Sequence, residues 1–566
     1  MSSPYAPPDI PLHSGRKIKV VCIGAGASGL LLAYKIQHNF YKSDVEVQIY
    51  EKNSDLGGTW LENRYPGCAC DCPAHTYTWS FEPKTDWSQT FATSQEIHKY
   101  FTDFAAKYEL EDYIKYSHAV VGASWEEAVG KWRLKIWTPE GIRHDSCELL
   151  INASGILNNW QWPLISGIDN FAGPKLHSAA WDETVDLTGK NVGLIGNGSS
   201  GIQILPAILP KAASVASFIR EPTWITQMTM PGFEPRRFSD EEKAEFLSFP
   251  GKHLEYRKNI EHLGNSFFPL FLRDSPAQEQ AMQQFSQGMK DEIPDPVLQE
   301  QLIPKWSVGC RRLTPGVDYL KALKDAKSKV VFGRISKISH RGPVMQDGTE
   351  HAIDVLICAT GFDTTFKPRF PLKGPGGIDL AESWSQEPSS YLGLAAGGFP
   401  NYFMFLGPNS PIGNGPVLIG IEAQADYFMK FIQKFREENI KYFQPKVEAI
   451  RELTAHKDAW MSRSVWDRDC RSWYKNASGK VTALWPGSVP HYLELLERPR
   501  FEDYDRGYEI EGNRWSFVGN GFSQRGARGA DLSWYIRGND NSIPLASTLE
   551  DDSGQLYTGS SSDSTE

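Results

Sequence analysis

The chain has 566 residues, with 59 Lys plus Arg against 69 Asp plus Glu, a net charge of −10. Apolar residues make up 40% and charged residues 23%, ordinary globular usage that excludes a wholly disordered chain and allows several domains. An acidic chain lacks the basic face that nucleic-acid phosphates require, so no nucleic-acid partner is expected.

Residues 1–16 hold several Pro and Ser and read as a flexible arm. No apolar core of a signal peptide stands at the start, and no apolar stretch reaches the ~20 residues that cross a bilayer. A cytoplasmic protein without a membrane anchor is the expectation. The eight cysteines are too sparse for a disulfide framework.

Lys17–Ile23 reads as a buried strand, Leu30–His38 as a helix and Val45–Glu51 as a second strand. Between the first strand and the helix stands Gly24-Ala-Gly26-Ala-Ser28-Gly29, a GxGxxG turn. Such a turn brings a helix N-terminus against a pyrophosphate. Glu51 ends the second strand, where a carboxylate bonds a ribose diol. Strands are also expected at Trp125–Trp137 and Glu148–Ala153.

The same unit recurs at Asn191–Ile195, Ile202–Leu209 and Ser214–Arg220, around Gly196-Asn-Gly198-Ser199-Ser200-Gly201. Here the second strand ends in Arg220, which suits a 2′-phosphate, whereas an acid suits a free 2′-hydroxyl. Glu221 beside it would oppose that phosphate. The first unit therefore suits FAD and the second NADPH.

Residues 229–305 turn rich in Glu, Gln, Lys and Phe, with capping-box patterns at Ser239–Glu242 and Ser275–Gln278, and read as a helical insertion. Val330–Val331 and Asp354–Cys358 return to strand, and Gln424–Glu438 reads as an amphipathic helix. Residues 541–566 have a low-complexity composition and are expected to be disordered.

Two nucleotide units suggest electron flow from nicotinamide to flavin. A flavin disulfide reductase would need a cysteine pair directly after Gly57-Gly58-Thr59, but Trp60 follows and the next cysteine is Cys68. Dioxygen is the remaining common acceptor.

Further motifs narrow this. Phe171-Ala-Gly173-Pro-Lys-Leu-His177-Ser-Ala-Ala-Trp181-Asp182 fits FxGxxxHxxxW followed by Pro or Asp. Its four fixed residue types would match by chance in about two per thousand chains of this composition. Gly57-Gly58-Thr59-Trp60 continues to Tyr65-Pro66-Gly67 and Asp71. With Arg311-Arg312 and Ala359-Thr360-Gly361, the chain resembles the class B flavoprotein monooxygenases of the Baeyer–Villiger type, in a form common in fungi. The resemblance spans nearly all of residues 17–540.

It implies an α/β protein with two Rossmann-like domains and a helical insertion. An FAD domain would comprise 17–170 and 359–540, and an NADPH domain 171–228 and 306–358. The implied activity uses NADPH and O₂ to insert oxygen beside a ketone carbonyl, giving an ester or lactone through a flavin C4a-peroxide. Secondary metabolism is the implied setting, and the substrate is a small-molecule ketone.

Arg312 would be the catalytic cation and Asp71 the carboxylate that orients it. FAD would be held by Gly24, Gly26, Ser28, Gly29, Glu51, Gly58, Thr59, Trp60, Asp71 and Tyr77. NADPH would be held by Gly196, Gly198, Ser199, Ser200, Gly201, Arg220, Arg311 and Trp473. Phe171, Gly173, His177, Trp181 and Asp182 would form a linker that organises domain motion. No metal site is expected at Cys68, Cys70, Cys72 and His75, because no second ligand pair follows. Two other readings stay open: oxygenation of amines or sulfides, and a flavin-binding module without catalysis.

Overall fold

The computed structural model describes residues 5–227, 230–468 and 470–536. The expected tail at 541–566 lies outside the described residues. Two units are distinguished, 15–513 and a smaller one built from both chain ends.

The large unit holds two parallel five-stranded sheets. The first runs Tyr402–Met404, Leu149–Asn152, Ile18–Ile23, Val45–Tyr50, Ile114–Lys115. Its central strand is buried along nearly its whole length, as a two-faced sheet requires. The helix Ala27–Asn39 follows that strand directly, giving the βαβ unit read from the sequence. An outer strand comes from residues 402–404, so the sheet draws on both halves of the chain.

The second sheet runs Ser328–Phe332, Ser214–Ile219, Asn191–Ile195, Val355–Cys358, Lys175–His177. All its pairings are parallel. The helix Ser199–Ile208 opens directly after its glycine turn. Each sheet carries its own apolar core, one around Val20, Leu31 and Ile49, the other around Val192, Leu205 and Ile357.

Trp125–Trp137 is not one strand. Ala119–Glu126 and Lys131–Thr138 pair antiparallel, and Gly130 turns the chain between them at φ +65°. Gly141–Cys147 continues the meander.

Within 229–305 the described residues form helices at Asp240–Ser248, Pro250–Ser266, Pro276–Glu292 and Pro296–Leu302. Ser239 and Glu242 make a full reciprocal capping box. Ser275 caps only one way. Its hydroxyl accepts from the Gln278 N–H, while the Gln278 amide donates to the Leu270 and Val308 carbonyls instead.

In the small unit, the N–H groups of Leu12 and His13 donate to the carbonyls of Phe522 and Phe517 at 2.9 and 3.1 Å. His13 also stacks on Phe517 with ring centroids 5.1 Å apart. Part of the expected arm is thus hydrogen-bonded to the C-terminal region. Among the described residues, no helix is long and apolar enough to cross a membrane.

Candidate active site

The first glycine turn borders a cavity of about 380 Å³. Gly24, Gly26, Ser28, Glu51, Gly58, Thr59, Trp60 and Tyr77 all line it. Gly24 adopts φ +104°, and its counterpart Gly196 in the second unit +108°, a region that L side chains rarely enter. Gly29 does not line the cavity: a Cβ there would lie 2.0 Å from the Gly24 carbonyl oxygen, so it serves the packing of turn on helix.

Glu51 is 4% exposed and held by two backbone donors, Ala25 N–H at 2.8 Å and Asn53 N–H at 2.9 Å. Burial raises its carboxyl, and the two N–H groups counter part of that rise. Trp60 Nε1 donates to the Tyr77 hydroxyl at 3.3 Å. The Gly-rich turn, the fixed carboxylate and the aromatic wall fit the pyrophosphate, ribose and ring system of a dinucleotide. Sequence reasoning missed Arg369, a cavity residue that donates to the Asn158 amide oxygen.

Asp71 and Arg312 meet from positions 241 residues apart. Arg312 Nε donates to Asp71 Oδ2 at 2.5 Å and Nη2 to Oδ1 at 2.8 Å, a two-pronged pair. Arg312 Nη1 donates to the Ile412 carbonyl at 3.3 Å. Burial would raise Asp71, but the Arg312 charge and its hydrogen bonds outweigh that and hold the carboxyl below its usual range. Burial works against the guanidinium too, and Asp71 reverses it, leaving Arg312 a permanent cation. The pair stands outside the lining of the large cavity. The Tyr77 phenol in the cavity wall is raised chiefly by burial and further by Cys70 and Asp71.

The Tyr65–Gly67 stretch carries the pair's loop onto the second nucleotide unit. Tyr65 hydroxyl donates to Gln203 Oε1 at 2.8 Å, and Gln203 Nε2 donates to the Ala69 carbonyl at 2.9 Å. Gln203 sits on the helix that Ser199 and Ser200 open. Ser199 Oγ lies 2.8 Å from Thr314 Oγ1, two residues past Arg312.

Beside the second glycine turn, whose Asn197 Nδ2 donates to the Glu221 carbonyl, Arg311 pairs closely with the Glu221 carboxylate. Arg220 and Arg471 flank the same carboxylate at 3.8 and 3.9 Å. Arg471 was not foreseen: no spacing signal connects it to a residue 250 positions earlier. Trp473 is half-buried against the first core, its ring 4.7 Å from that of Tyr474.

Cys310 and Cys470 form a disulfide, which the sparse cysteines had not suggested. The other six cysteines are free and buried. Cys70, Asp71 and Cys72 have ligand atoms within 4.8 Å of one another. As a metal donor set they fit poorly. Both Asp71 oxygens serve Arg312, and burial pushes the Cys70 thiol well up, away from the thiolate that a metal binds.

The 171–182 motif folds around His177. The ring stacks on Trp160 at 4.7 Å, its Nδ1 accepts the Ala179 N–H at 3.2 Å, and its Nε2 lies 3.3 Å from Thr360 Oγ1. Nε2 therefore carries the proton and donates to Thr360. Burial lowers His177 to about 4. Phe171 and Trp181 are buried, and Asp182 Oδ1 accepts from the Thr184 N–H and hydroxyl at 2.9 and 2.6 Å. His177 does not line the cavity, and its bonds join this motif to Ala359-Thr360-Gly361.

Comparison with known proteins fits this geometry. Residues 22–93 match the NAD(P)-binding Rossmann-like domain. The FAD-binding monooxygenase tazF of Aspergillus terreus is 38% identical over 538 residues, covering 93% of this chain and 96% of that protein. The chain belongs to the FAD-binding monooxygenases. A Baeyer–Villiger monooxygenase of Pseudomonas aeruginosa is 32% identical to this monooxygenase over 86% of the chain and 90% of its own length. The solved cyclohexanone monooxygenase from Rhodococcus sp. Phi1, bound to NADP+, superposes with a TM-score of 0.75 at 25% identity, covering 88% of this chain and all of that one.

Proposed function

We propose that this monooxygenase holds FAD, takes electrons from NADPH, and uses O₂ to convert a ketone into an ester or lactone. The observation that carries the reading is the Arg312–Asp71 pair, a fixed cation whose geometry is set before any reactant arrives.

In this reading the residues lining the cavity would hold FAD: Gly24, Gly26 and Ser28 toward the pyrophosphate, Glu51 toward a ribose, and Gly58, Thr59 and Trp60 beside the rings. Bound FAD, once reduced, supplies the activation of dioxygen. The chain's own residues then hold charge. Arg312 offers N–H donors to a developing oxyanion, and it cannot surrender a proton at working pH. Asp71 fixes the plane of the guanidinium and keeps it charged. His177, neutral and buried, holds two segments together and takes no proton from a reactant. Arg220 and Arg311 supply the positive charge that a 2′-phosphate needs.

A ketone suits this arrangement, because addition to a carbonyl concentrates negative charge on oxygen, where a cation lowers the barrier most. Oxidation of an amine or sulfide develops no such tetrahedral oxyanion. The test is a mass-spectrometric screen of the FAD-loaded protein with NADPH, O₂ and panels of ketones, amines and sulfides. Esters or lactones support the reading. N-oxides or sulfoxides alone would replace it with the heteroatom alternative.

A further inference from the structure

Glu221 is the unexpected feature of the second nucleotide unit. An acid directly after Arg220 opposes the charge of a 2′-phosphate, yet it is surrounded by arginines. Arg311 Nη2 donates to its Oε2, Arg220 Nε lies 3.8 Å from Oε1, and Arg471 Nη1 lies 3.9 Å from the same atom. Three guanidinium groups thus share one carboxylate, leaving two positive charges uncompensated within the cluster.

Arg311 is held as though for a second anion. Its guanidinium lies over the Trp306 ring, 4.7 Å from the centroid, and Nη1 donates to the Pro222 carbonyl at 3.3 Å. Its Nε is buried and has no hydrogen-bond partner among the described residues. A buried donor without a partner leaves hydrogen-bonding capacity of the Arg311 guanidinium unmet, beside a Glu221 carboxylate that is 28% exposed. The Glu221 backbone is anchored separately, since its carbonyl accepts from Asn197 Nδ2 at 2.8 Å. The side chain can therefore move without unfolding the strand end.

We propose that Glu221 is an internal competitor for the coenzyme phosphate: its carboxylate occupies Arg311 until a 2′-phosphate takes that guanidinium over. This rests on the reading of Arg220 and Arg311 as coenzyme residues. The consequence is a selectivity set point. A coenzyme with a 2′-phosphate must displace Glu221 and accept its repulsion. One without it leaves the pair intact. Glu221 therefore narrows the margin between NADPH and NADH that the three arginines would otherwise create.

The test is calorimetric, on the full-length FAD-loaded protein, with adenosine 2′,5′-bisphosphate and 5′-AMP as probes. Neither probe undergoes chemistry, so activity does not enter. Glu221→Gln should bind the bisphosphate about tenfold more tightly, with 5′-AMP unchanged within about twofold. Glu221→Ala, which cannot hold Arg311 at all, should do the same. Arg220→Ala should weaken the bisphosphate and spare 5′-AMP. If neither Glu221 variant tightens the bisphosphate while Arg220→Ala weakens it, the site is right and the competition is refuted. If Arg220→Ala and Arg311→Ala both leave the two probes unchanged, the phosphate binds elsewhere, and the coenzyme reading fails with the proposal.

Discussion

Arg312 and Asp71 face each other in a two-pronged ion pair, with Nε–Oδ2 at 2.5 Å and Nη2–Oδ1 at 2.8 Å. The loop carrying Asp71 is fixed on the helix of the second nucleotide unit through Tyr65 and Gln203, so the pair has a rigid platform. Its placement is not a surface accident: the side chains are 29% and 17% exposed, and each holds the other in its charged state.

Replacing Arg312 separates its proposed role from cofactor binding. Arg312→Ala should keep FAD, because Arg312 is not in the cavity wall. Ester formation should fall by about 10²–10³, the usual loss for one oxyanion contact, with NADPH oxidation diverted to hydrogen peroxide. Arg312→Lys should recover little, since an ammonium cannot match both Asp71 oxygens in one plane. Product yield and peroxide per NADPH consumed are the measurements. Ester at near wild-type rates in Arg312→Ala would assign the cation elsewhere.

Two glycines of the second unit should respond oppositely. A Cβ on Gly173 would lie 2.2 Å from the Asp354 carbonyl oxygen and 2.8 Å from the Phe171 ring, so Gly173→Ala must displace backbone. It should cost about 1–3 kcal/mol of stability. A Cβ on Gly198 meets nothing within 4 Å. Gly198→Ala should melt like wild type yet bind NADPH more weakly, since the proposed contact is between backbone and pyrophosphate. Melting curves and coenzyme titrations read the two effects. A stable Gly173→Ala, or a Gly198→Ala with normal affinity, would contradict the roles assigned.

The legible parts of this chain are those whose signal is local. Asn191–Ile195 carries a β-branched, uncharged run ending at glycine, and its strand has those bounds. The helix read from Gln424 instead begins at Val417. Its first turns are buried at Leu418, Gly420, Ile421 and even Glu422, so they show no polar face to betray a helix. Glu422 tolerates burial because Ser80 donates to it from N–H and hydroxyl, both at 2.6 Å. The pairing of Arg312 with Asp71 was legible through motif resemblance. Arg471 and the Cys310–Cys470 bond were not, because distant loops meet only in the fold.

Three buried histidines make stability depend on pH. His75 Nδ1 and His253 Nε2 lie 2.8 Å apart, joining the helix Pro250–Ser266 to the segment Ala74–Thr76. Burial, then neighbouring positive charge, lowers His75 to about 3 and His253 to about 4; burial alone lowers His177 to about 4. Each folded value lies below the unfolded one, near 6.5. Between about pH 4 and 6.5 the unfolded chain therefore binds more protons, and stability rises with pH. The slope is about 1.4 kcal/mol per pH unit for each histidine well inside that window. Denaturant midpoints at pH 5, 6 and 7 should rise in that order, less steeply in His253→Gln. Burial raises Glu261 to about 7, which opposes this trend in the same range, so the deciding measurement is the difference: equal slopes in wild type and His253→Gln would show that His253 is not held neutral.

The disulfide has a mechanical reading that thiol counting can test. Cys310 immediately precedes Arg311 and Arg312, and Cys470 immediately precedes Arg471 and lies three residues before Trp473. One covalent bond thus fixes the loop bearing Arg471 and Trp473 to the segment bearing the proposed cation, across a sequence separation of 160 residues. Closing so long a loop removes unfolded-state entropy worth up to about 5 kcal/mol, and native bridges commonly contribute about 2–5 kcal/mol. Alkylation of the denatured, unreduced protein should label the six free cysteines and spare two. Cys470→Ser should lower the melting temperature and raise the KM for NADPH more than it lowers kcat, because the loop that carries Arg471 loses its tether. Cys310→Ser should match it, since either change opens the same bond. Eight labelled cysteines, or a Cys470→Ser protein as stable as wild type, would remove the bond from this account.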